Sequence, residues 1–363
     1  MSELKRILQD SIAHDGPMAL DTFMAVCLGH SRHGYYMTRD PFGVKGDFVT
    51  APEISQMFGE LVGLWAAETW MTLGAPEKIR LIELGPGRGT LMSDALRAAR
   101  ISNEFSSALD VHLVETSPVL REMQEQTLAQ ANVPVSWHKN LDDVPEGPSI
   151  IIANEFFDCL PVRHYVKASG QWHQRLVGLN AQGDLSFGLA PDAEALLTMD
   201  APDGAVLEIS PASQLMMTQL ATRIAKGQAA ALIIDYGYAE TGYGETLQAL
   251  RAHKSVSPLE CPGEADLTAH VDFASLTRAA QAAGTDVFGP VSQSELLTRL
   301  GIAQRAEALK KRASEEQAQA IDLALARLVT ERVGSSPGMG TLFKAVAVMP
   351  RGASVPAGFR REA

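Results

Sequence analysis

An acid and three alternating glycines lie close together near position 85 of the chain. Glu83 lies at the end of an apolar run, Gly85, Gly87 and Gly89 follow, and residues 92–97 have the character of a helix. An apolar run that passes through glycines into a helix is typical of a buried parallel strand that turns tightly. Glycine lets the backbone approach a ligand closely, and the start of a helix offers N–H groups to an anionic group. The spacing therefore predicts a turn that binds a nucleotide-type cofactor.

The positions of the glycines separate two classes of cofactor. A dinucleotide fingerprint, G-x-G-x-x-G, would put its third glycine where the chain has Thr90, whereas Gly89 comes one place earlier. The run from Glu83 to Gly89 instead resembles the first motif of class I S-adenosylmethionine (SAM) methyltransferases. That resemblance implies that the turn holds the methionine end of SAM. A turn with a purely structural role is the alternative.

Two further segments are predicted to complete the cofactor site. Glu115 follows the apolar run 110–114, where a carboxylate could accept hydrogen bonds from both hydroxyls of a ribose. Asn140 and Leu141 follow the run 135–138, and we expect them to contact adenine through an amide and an apolar side chain. Strand ends that meet at one edge of a parallel sheet would bring these residues together.

The segment after the fourth predicted strand carries the candidate catalytic residues. Residues 150–153 form a buried apolar run that delivers Asn154, Glu155 and Asp158 to the same sheet edge. Two carboxylates three residues apart can hold a planar guanidinium through charge-assisted hydrogen bonds, in an arrangement similar to the acidic loop of arginine methyltransferases. Methyl transfer by in-line displacement depends on positioning and electrostatics, and it needs no metal. The alternative is that these side chains cap a helix that begins near Phe156.

Composition restricts the classes of partner and the cellular compartment. The 363 residues carry 31 Lys and Arg against 43 Asp and Glu, a net charge of −12, without a basic run. Binding to a nucleic-acid backbone is therefore disfavoured, and a protein or small-molecule acceptor is favoured. The three cysteines lie far apart, which argues against a zinc site and a disulfide scaffold. No apolar run reaches the roughly 18 residues of a membrane helix, so we expect a cytoplasmic protein without membrane insertion.

The order of the elements predicts an α/β fold with a mostly parallel, Rossmann-like sheet. We expect an N-terminal helical cap with a cofactor-covering loop over 1–75 and a methyltransferase core over 76–349. An antiparallel β-insertion over 162–204 and a helical insertion over 292–338 interrupt this core, and a tail over 350–363 follows it. The strands predicted for the parallel sheet are 80–84, 111–114, 135–138, 149–153 and 230–234.

The N-terminal loop that covers the cofactor is predicted over residues 47–56. A flexible Gly46 precedes Thr50 and Ser55, whose hydroxyls would face the ligand if this segment closes as a lid that excludes water. A loop that only caps the following helix is the other interpretation, and the sequence leaves both open.

Three residues outside these segments are candidates for binding the substrate. Tyr36 has an aromatic ring that could stack on a ligand or pack inside the N-terminal cap. Tyr236, or Asp235 beside it, follows the fifth predicted strand at the same edge of the sheet and could line an acceptor pocket there. His270 could form a hydrogen bond to the substrate, although a structural histidine beside two acids is the alternative.

Five segments together resemble the MidA-like SAM-dependent methyltransferases. The resemblance implies a class I methyltransferase fold with SAM as cofactor and supports a functional role for Tyr36. Mitochondrial members of the family assist the assembly of respiratory complex I, which implies symmetric dimethylation of an arginine in a complex I subunit. The segments that carry the resemblance are Gly34-Tyr35-Tyr36, Gly46 to Gln56, Ile82 to Thr90, Asn154 to Asp158 and Asp266 to Phe273.

Three functions are compatible with these residues. The first is a protein arginine methyltransferase that acts on a complex I subunit or a similar partner. The second is a non-enzymatic assembly chaperone that binds SAM as a structural ligand, and the third is a small-molecule methyltransferase with an enclosed apolar pocket. The sequence does not fix the oligomeric state, and a homodimer is one option.

Overall fold

The chain is divided between two units, and each unit is assembled from three separate segments. A computed structural model describes residues 2–39, 43, 47, 49–334 and 336–360. The first unit, here called the accessory unit, comprises Met1–Phe48, Asp158–Met216 and Glu240–His270. The second, here called the parallel-sheet unit, comprises Val49–Phe157, Met217–Ala239 and Val271–Ala363.

The α-helices of the described residues are α1 (Glu3–Asp15), α2 (Leu20–Gly29), α3 (Tyr35–Thr38), α4 (Ala51–Ile54), α5 (Gln56–Thr72), α6 (Thr90–Ala99), α7 (Asn103–Ala108), α8 (Pro118–Thr127), α9 (Pro211–Ala225), α10 (Phe273–Ala282), α11 (Gln293–Arg299), α12 (Ile302–Lys310) and α13 (Glu315–Val329). A short 3₁₀ turn spans Leu141–Asp143.

The β-strands are β1 (Met18–Ala19), β2 (Ile79–Leu84), β3 (Leu109–Val114), β4 (Val135–His138), β5 (Ser149–Asn154), β6 (Arg163–Ala168), β7 (Gln171–Leu179), β8 (Leu185–Ala193), β9 (Val206–Ile209), β10 (Ala229–Tyr238), β11 (Gln248–Arg251), β12 (Lys254–Val256), β13 (Asp266–Thr268), β14 (Val271–Asp272), β15 (Asp286–Ser292), β16 (Arg332–Val333), β17 (Ser336–Pro337) and β18 (Phe343–Met349).

A single large sheet organises the parallel-sheet unit. Its strand order is β15-β18-β10-β5-β2-β3-β4, with β14 paired to the end of β10. Strands β10, β5, β2, β3 and β4 run parallel, and β18 is antiparallel to both of its neighbours. Leu84 pairs with Val114 and with Ala153, and Ile234 pairs with Asn154, so the central strands end at nearly the same level. This register gathers the residues that follow those strands at one edge, where α/β folds bind ligands.

Helix α5 anchors this sheet through its apolar surface. Phe58 and Trp65 of α5 are fully buried in one hydrophobic core with Ile150, Ile152 and Leu232 of the sheet. A helix that is apolar around most of its circumference must be buried, and α5 meets this condition. Its burial explains why α5 belongs to the parallel-sheet unit, whereas the predicted N-terminal cap extends to residue 75.

Antiparallel sheets and the helices α1, α2 and α3 make up most of the described part of the accessory unit. One sheet has the order β1-β7-β6-β9 with β8 on β7, and a second has the order β12-β11-β13. Ser169 and Gly170, with φ of 51° and 75°, form the tight turn between β6 and β7. The core of this unit joins residues of α1 and α2 to the β-segments, which is why the accessory unit extends beyond the predicted insertion at 162–204.

In the part of the chain that the structure describes, no helix combines the length and the apolar character of a membrane span.

Candidate active site

The glycine turn has a backbone that side chains rarely tolerate. Gly85, Gly87 and Gly89 have φ of 60°, 54° and 81°, all in the left-handed region. A Cβ atom on Gly85 would lie 3.0 Å from Cδ2 of Phe156, so the ring would have to move. Gly89 is the N-cap of α6. The turn thus places bare peptide groups between the end of β2 and the start of a helix, as the spacing predicts.

Glu83 is a buried acid with one unsatisfied oxygen. Its side chain is 3% exposed, and Oε2 has no hydrogen-bond partner among the described residues. Burial raises the pKa of this carboxyl to about 8, because an apolar surrounding disfavours the charged form. A positively charged group of a ligand placed against Oε2 would satisfy this oxygen and stabilise the carboxylate.

Glu115 is held in place from two sides. Its Oε1 accepts a hydrogen bond from the Ser117 N–H at 2.7 Å, and its Oε2 accepts one from Nε2 of Gln124 at 3.1 Å. Burial raises the pKa of Glu115 above its ordinary value, and these hydrogen bonds oppose the shift. Gln124 also donates to the Gly87 carbonyl at 2.7 Å, which links the predicted ribose-binding acid to the glycine turn.

Asn140 and Leu141 follow β4 at the same edge of the sheet. The Asn140 amide and backbone N–H both donate to Oδ2 of Asp143 at 3.2 Å, so this residue caps the short 3₁₀ turn. Leu141 is 3% exposed and packs inside the unit. Their contact with adenine stays a prediction.

The segment after β5 has a strained backbone and a fixed carboxylate. Glu155 has φ of 49°, which is unusual for a residue other than glycine. Such a backbone conformation costs on the order of 1–3 kcal/mol. Its Oε1 accepts hydrogen bonds from the Ala51 N–H at 2.9 Å and from Nδ2 of Asn154 at 3.2 Å. Asn154 is 8% exposed, and its Oδ1 is buried without a hydrogen-bond partner among the described residues. Strain of this kind persists where surrounding contacts enforce it, as at functional sites.

Asp235 holds the same segment from the neighbouring strand. It is fully buried, and its Oδ2 accepts hydrogen bonds from the N–H groups of Phe156 at 3.1 Å and Phe157 at 2.9 Å. Its Oδ1 accepts a hydrogen bond from the Tyr236 N–H at 2.9 Å. No helix begins at Phe156 in the described chain, so the alternative in which Glu155 and Asp158 are helix caps is wrong.

Helix α4 is fastened to the glycine turn by an acid that the sequence identifies only as part of a loop. Glu53 accepts a hydrogen bond from the Thr90 hydroxyl at Oε1 and one from Arg88 at Oε2, the latter at 3.3 Å. Glu53 and Arg88 also form an ion pair whose side chains are both mostly buried. The contact fixes α4 beside the start of α6.

The two predicted lid hydroxyls have different surroundings. Thr50 is 8% exposed and precedes α4. Ser55 caps α5, since its Oγ accepts a hydrogen bond from the Met57 N–H at 3.2 Å. Gly46 lies outside the described residues. The role of Thr50 and Ser55 in a closing lid stays a prediction.

The accessory unit contains a buried acid that the sequence analysis does not single out. Asp266 is 3% exposed, and its Oδ1 accepts a hydrogen bond from the Tyr36 hydroxyl at 2.9 Å. Burial and the negative charge of Asp158 raise the pKa of Asp266 to about 8. Asp158 is 7% exposed in the same unit. Tyr36 therefore contacts an acid of its own unit, and substrate binding by this tyrosine stays a prediction.

His270 and Tyr236 are the remaining substrate candidates. The backbone N–H of His270 donates to the Thr246 hydroxyl at 2.8 Å in the accessory unit. In the parallel-sheet unit the Tyr236 ring packs edge-on against Phe343, with ring centroids 5.4 Å apart. No group of three or more metal-ligating side chains suited to an ion occurs among the described residues.

Comparison with known proteins decides the family. Residues 61–291 match the family described as "Putative S-adenosyl-L-methionine-dependent methyltransferase". The "Protein arginine methyltransferase NDUFAF7, mitochondrial" of Mus musculus is 38% identical over 346 residues, which cover 88% of this chain and 79% of that protein. The chain belongs to the MidA-like SAM-dependent methyltransferases. The predicted family, fold class and cofactor are thereby confirmed.

Two further relatives support the assignment of the chain to this methyltransferase family. The "Protein arginine methyltransferase NDUFAF7 homolog, mitochondrial" of Drosophila melanogaster is 36% identical over 383 residues, covering 96% of this chain and 85% of the relative. A crystal structure from Burkholderia thailandensis, bound to S-adenosyl-homocysteine, is 28% identical with a TM-score of 0.86 and covers 98% of this chain and 95% of that one.

The residues of the methyltransferase at the sheet edge fit SAM. SAM carries an ammonium group, and Glu83 offers a buried carboxyl oxygen to which no residue of the described chain donates a hydrogen bond. The glycine turn, with φ of 60°, 54° and 81° at its three glycines, presents peptide groups without side chains, which a ligand can approach closely. Glu115 is fixed where a ribose-binding acid is expected. We therefore assign Glu83, the glycine turn and Glu115 as the residues that would hold the cofactor.

The raised pKa of Glu83 predicts opposite effects on stability and on ligand binding. Between the ordinary pKa of 4.5 and the folded value of about 8, the unfolded chain ionises while the folded protein keeps the proton. The free energy of unfolding therefore falls as pH rises through this window. We expect Glu83→Gln to raise that free energy near pH 7 by about 1–3 kcal/mol. It should weaken binding of S-adenosyl-homocysteine about tenfold or more.

Denaturant unfolding and calorimetric titration would measure these two effects. Glu77→Gln, which makes the same chemical change at an exposed position, serves as the control. A Glu83→Gln protein that is less stable than the wild type and binds the ligand equally well would contradict the assignment.

One residue that organises the site, Gln124, was not predicted from the sequence. Gln124 lies on the buried stripe of α8, four residues after Leu120 and four before Leu128. A glutamine in an otherwise apolar stripe was the available signal. Asp235 is predicted from the sequence only as a possible residue of the acceptor pocket, and its hydrogen bonds to the backbone of the segment after β5 were not predicted.

Proposed function

We propose that this methyltransferase transfers a methyl group to an arginine side chain of a protein substrate. The observation that carries the proposal is the set of acceptors at the end of β5. The buried Oδ1 of Asn154 has no donor within the part of the chain that the structure describes, and Glu155 holds a fixed carboxylate. A guanidinium has five N–H donors and no acceptor, so it complements such a set. The relatives named as protein arginine methyltransferases support the same acceptor.

The residues of the chain act on the acceptor mainly by orientation. SAM supplies an electrophilic methyl group on a sulfonium centre. Glu155 would accept hydrogen bonds from the guanidinium, and Asn154 would accept another through Oδ1. These contacts fix the plane of the guanidinium and raise the electron density on its attacking nitrogen. The proton leaves late in the reaction or passes to water.

The remaining candidate residues are proposed from their positions in the sequence. Asp158 is proposed as a second carboxylate for the guanidinium, on the ground of its spacing from Glu155 in the chain. Tyr36, Tyr236 and His270 are proposed to contact the substrate. The resemblance to the MidA-like family supports a respiratory complex I subunit, or a similar partner, as the protein substrate. A cytoplasmic location is proposed from the sequence alone.

Isotope transfer tests the proposed acceptor. The purified methyltransferase would be incubated with methyl-deuterated SAM and an extract of cells that lack the gene. Protein and small-molecule fractions would then be hydrolysed and analysed by mass spectrometry. Deuterated methylarginine in the protein fraction is the expected result. Label confined to small molecules, or to another amino acid, would overturn the proposal, and absence of label would favour the non-enzymatic chaperone.

A further inference from the structure

Gln124 is a fully buried glutamine whose amide is completely engaged. Its Nε2 donates to the Gly87 carbonyl at 2.7 Å and to Oε2 of Glu115 at 3.1 Å. Its Oε1 accepts a hydrogen bond from Nε1 of Trp137 at 3.0 Å. The side chain is 0% exposed. Burying an amide is costly unless it is paired, and here both donors and the acceptor have partners.

The partners of this amide come from three adjacent strands of the sheet. Gly87 follows β2, Glu115 follows β3, and Trp137 lies in β4. The orientation of the amide is fixed, because a carbonyl and a carboxylate require the NH₂ group while the indole N–H requires the oxygen. The NH₂ group of Gln124 thus connects the glycine turn to Glu115, the acid predicted to bind the ribose.

We propose that Gln124 is a positioning residue for the cofactor. Its amide sets the distance between the Gly87 peptide and the Glu115 carboxylate, so that one SAM molecule contacts both. This inference rests on SAM binding and is independent of the proposed arginine acceptor. It predicts that the amide determines affinity for the cofactor without touching it. A small ligand that bridges two separately tethered groups gains affinity when those groups are preorganised.

Gln124→Glu is the most informative substitution, because it keeps the shape and removes both donors. Above neutral pH a carboxylate at 124 would face the Glu115 carboxylate and the Gly87 carbonyl, and these would move apart. At lower pH the two neighbouring carboxyls share a proton, since each raises the pKa of the other, and that proton restores a donor. Affinity for S-adenosyl-homocysteine should fall about ten- to a hundredfold at about pH 8 and largely recover at about pH 6.

Calorimetric titration at both pH values measures this effect without any acceptor. The methionine side chain of Gln124→Met has no hydrogen-bond donor and does not titrate. This variant should therefore weaken binding of S-adenosyl-homocysteine by a factor that stays nearly constant with pH. Gln126→Glu makes the same change on an exposed face of α8 and should leave affinity unaltered. A role confined to folding would lower the melting temperature of Gln124→Glu without a pH-dependent ratio of affinities, and that result would overturn the proposal.

Trp137→Phe provides a test if the Gln124 variants fail to fold. It keeps an aromatic ring and removes the indole N–H that orients the amide, together with the five-membered ring, at a partly buried position. We expect a three- to tenfold loss of affinity, about the effect of one hydrogen bond. A folded Trp137→Phe protein with wild-type affinity would also overturn the proposal.

Discussion

Glu155→Gln should bind S-adenosyl-homocysteine with nearly wild-type affinity and lose methyl transfer by about two to three orders of magnitude. The glutamine keeps an oxygen that can accept from the Ala51 N–H and from Asn154, so the segment after β5 should keep its conformation. It loses the negative charge that would orient and polarise a guanidinium. Because the cofactor residues lie after other strands, ligand binding should be unaffected.

Turnover would be measured with labelled SAM and the acceptor protein, and affinity by calorimetry. Glu122→Gln, an exposed glutamate of α8, is the matched control and should leave both quantities unchanged. If Glu155→Gln retained full turnover, Glu155 would have no part in binding the acceptor. If it lost ligand binding as well, Glu155 would belong to the cofactor site.

Asp235→Asn should reduce both stability and turnover. The wild-type carboxylate accepts hydrogen bonds from three backbone N–H groups, of Phe156, Phe157 and Tyr236, in a fully buried position. The asparagine amide has the same shape but carries an NH₂ group in place of one oxygen. This group would face some of the backbone N–H donors and cannot accept hydrogen bonds from them. We expect the free energy of unfolding to fall by about 2–3 kcal/mol, because hydrogen bonds to a charged group are lost in the interior. Turnover should fall because the strained conformation at Glu155 loses its support.

Denaturant unfolding and steady-state methyl transfer are the two measurements for this variant. Asp142→Asn changes an exposed aspartate of the same unit and should alter stability by no more than about 0.5 kcal/mol. An Asp235→Asn protein as stable and as active as the wild type would show that these hydrogen bonds do not organise the acceptor segment.

The central strands were predictable because burial dominates their sequences. Strand β4 has the predicted bounds, and β2, β3 and β5 extend beyond theirs by one or two residues at one end. Strand β10 continues four residues beyond the predicted end at Ile234, since it keeps pairing with β14 and β18 after Asp235. A charged residue normally marks the end of a buried run, whereas here its carboxylate is satisfied by backbone donors.

The division into units depended on contacts between distant parts of the chain. Residues 240–270 lack a strong local pattern, yet β11, β12 and β13 pair with one another and pack with α1 and α2. Helix α5 follows the N-terminal helices in sequence but is buried on the parallel sheet. Local patterns show which faces are apolar, and they do not show which partner covers each face.

In the candidate site, too, local sequence predicts some residues, whereas contacts between distant residues were not predictable. The glycine turn and Glu115 follow from local spacing, because backbone conformation and strand ends are local properties. The hydrogen bonds of Gln124 to Gly87 and Trp137 join helix α8 to the turn after β2 and to β4, and no local pattern encodes them. The capping role of Asn140 could not be predicted from the sequence either, because the side chain of its partner Asp143 could equally have faced solvent.

Calorimetric titration of the purified protein with S-adenosyl-homocysteine, alongside Gly87→Val, would measure whether the glycine turn binds the cofactor. Gly87 has φ of 54°, which a β-branched residue tolerates poorly, and its valine side chain would obstruct close approach of the ligand. We expect saturable one-to-one binding by the wild type and loss of binding in a Gly87→Val variant that circular dichroism shows to be folded. Failure of the wild type to bind, or undiminished binding by folded Gly87→Val, would contradict the assignment of the glycine turn as the cofactor site.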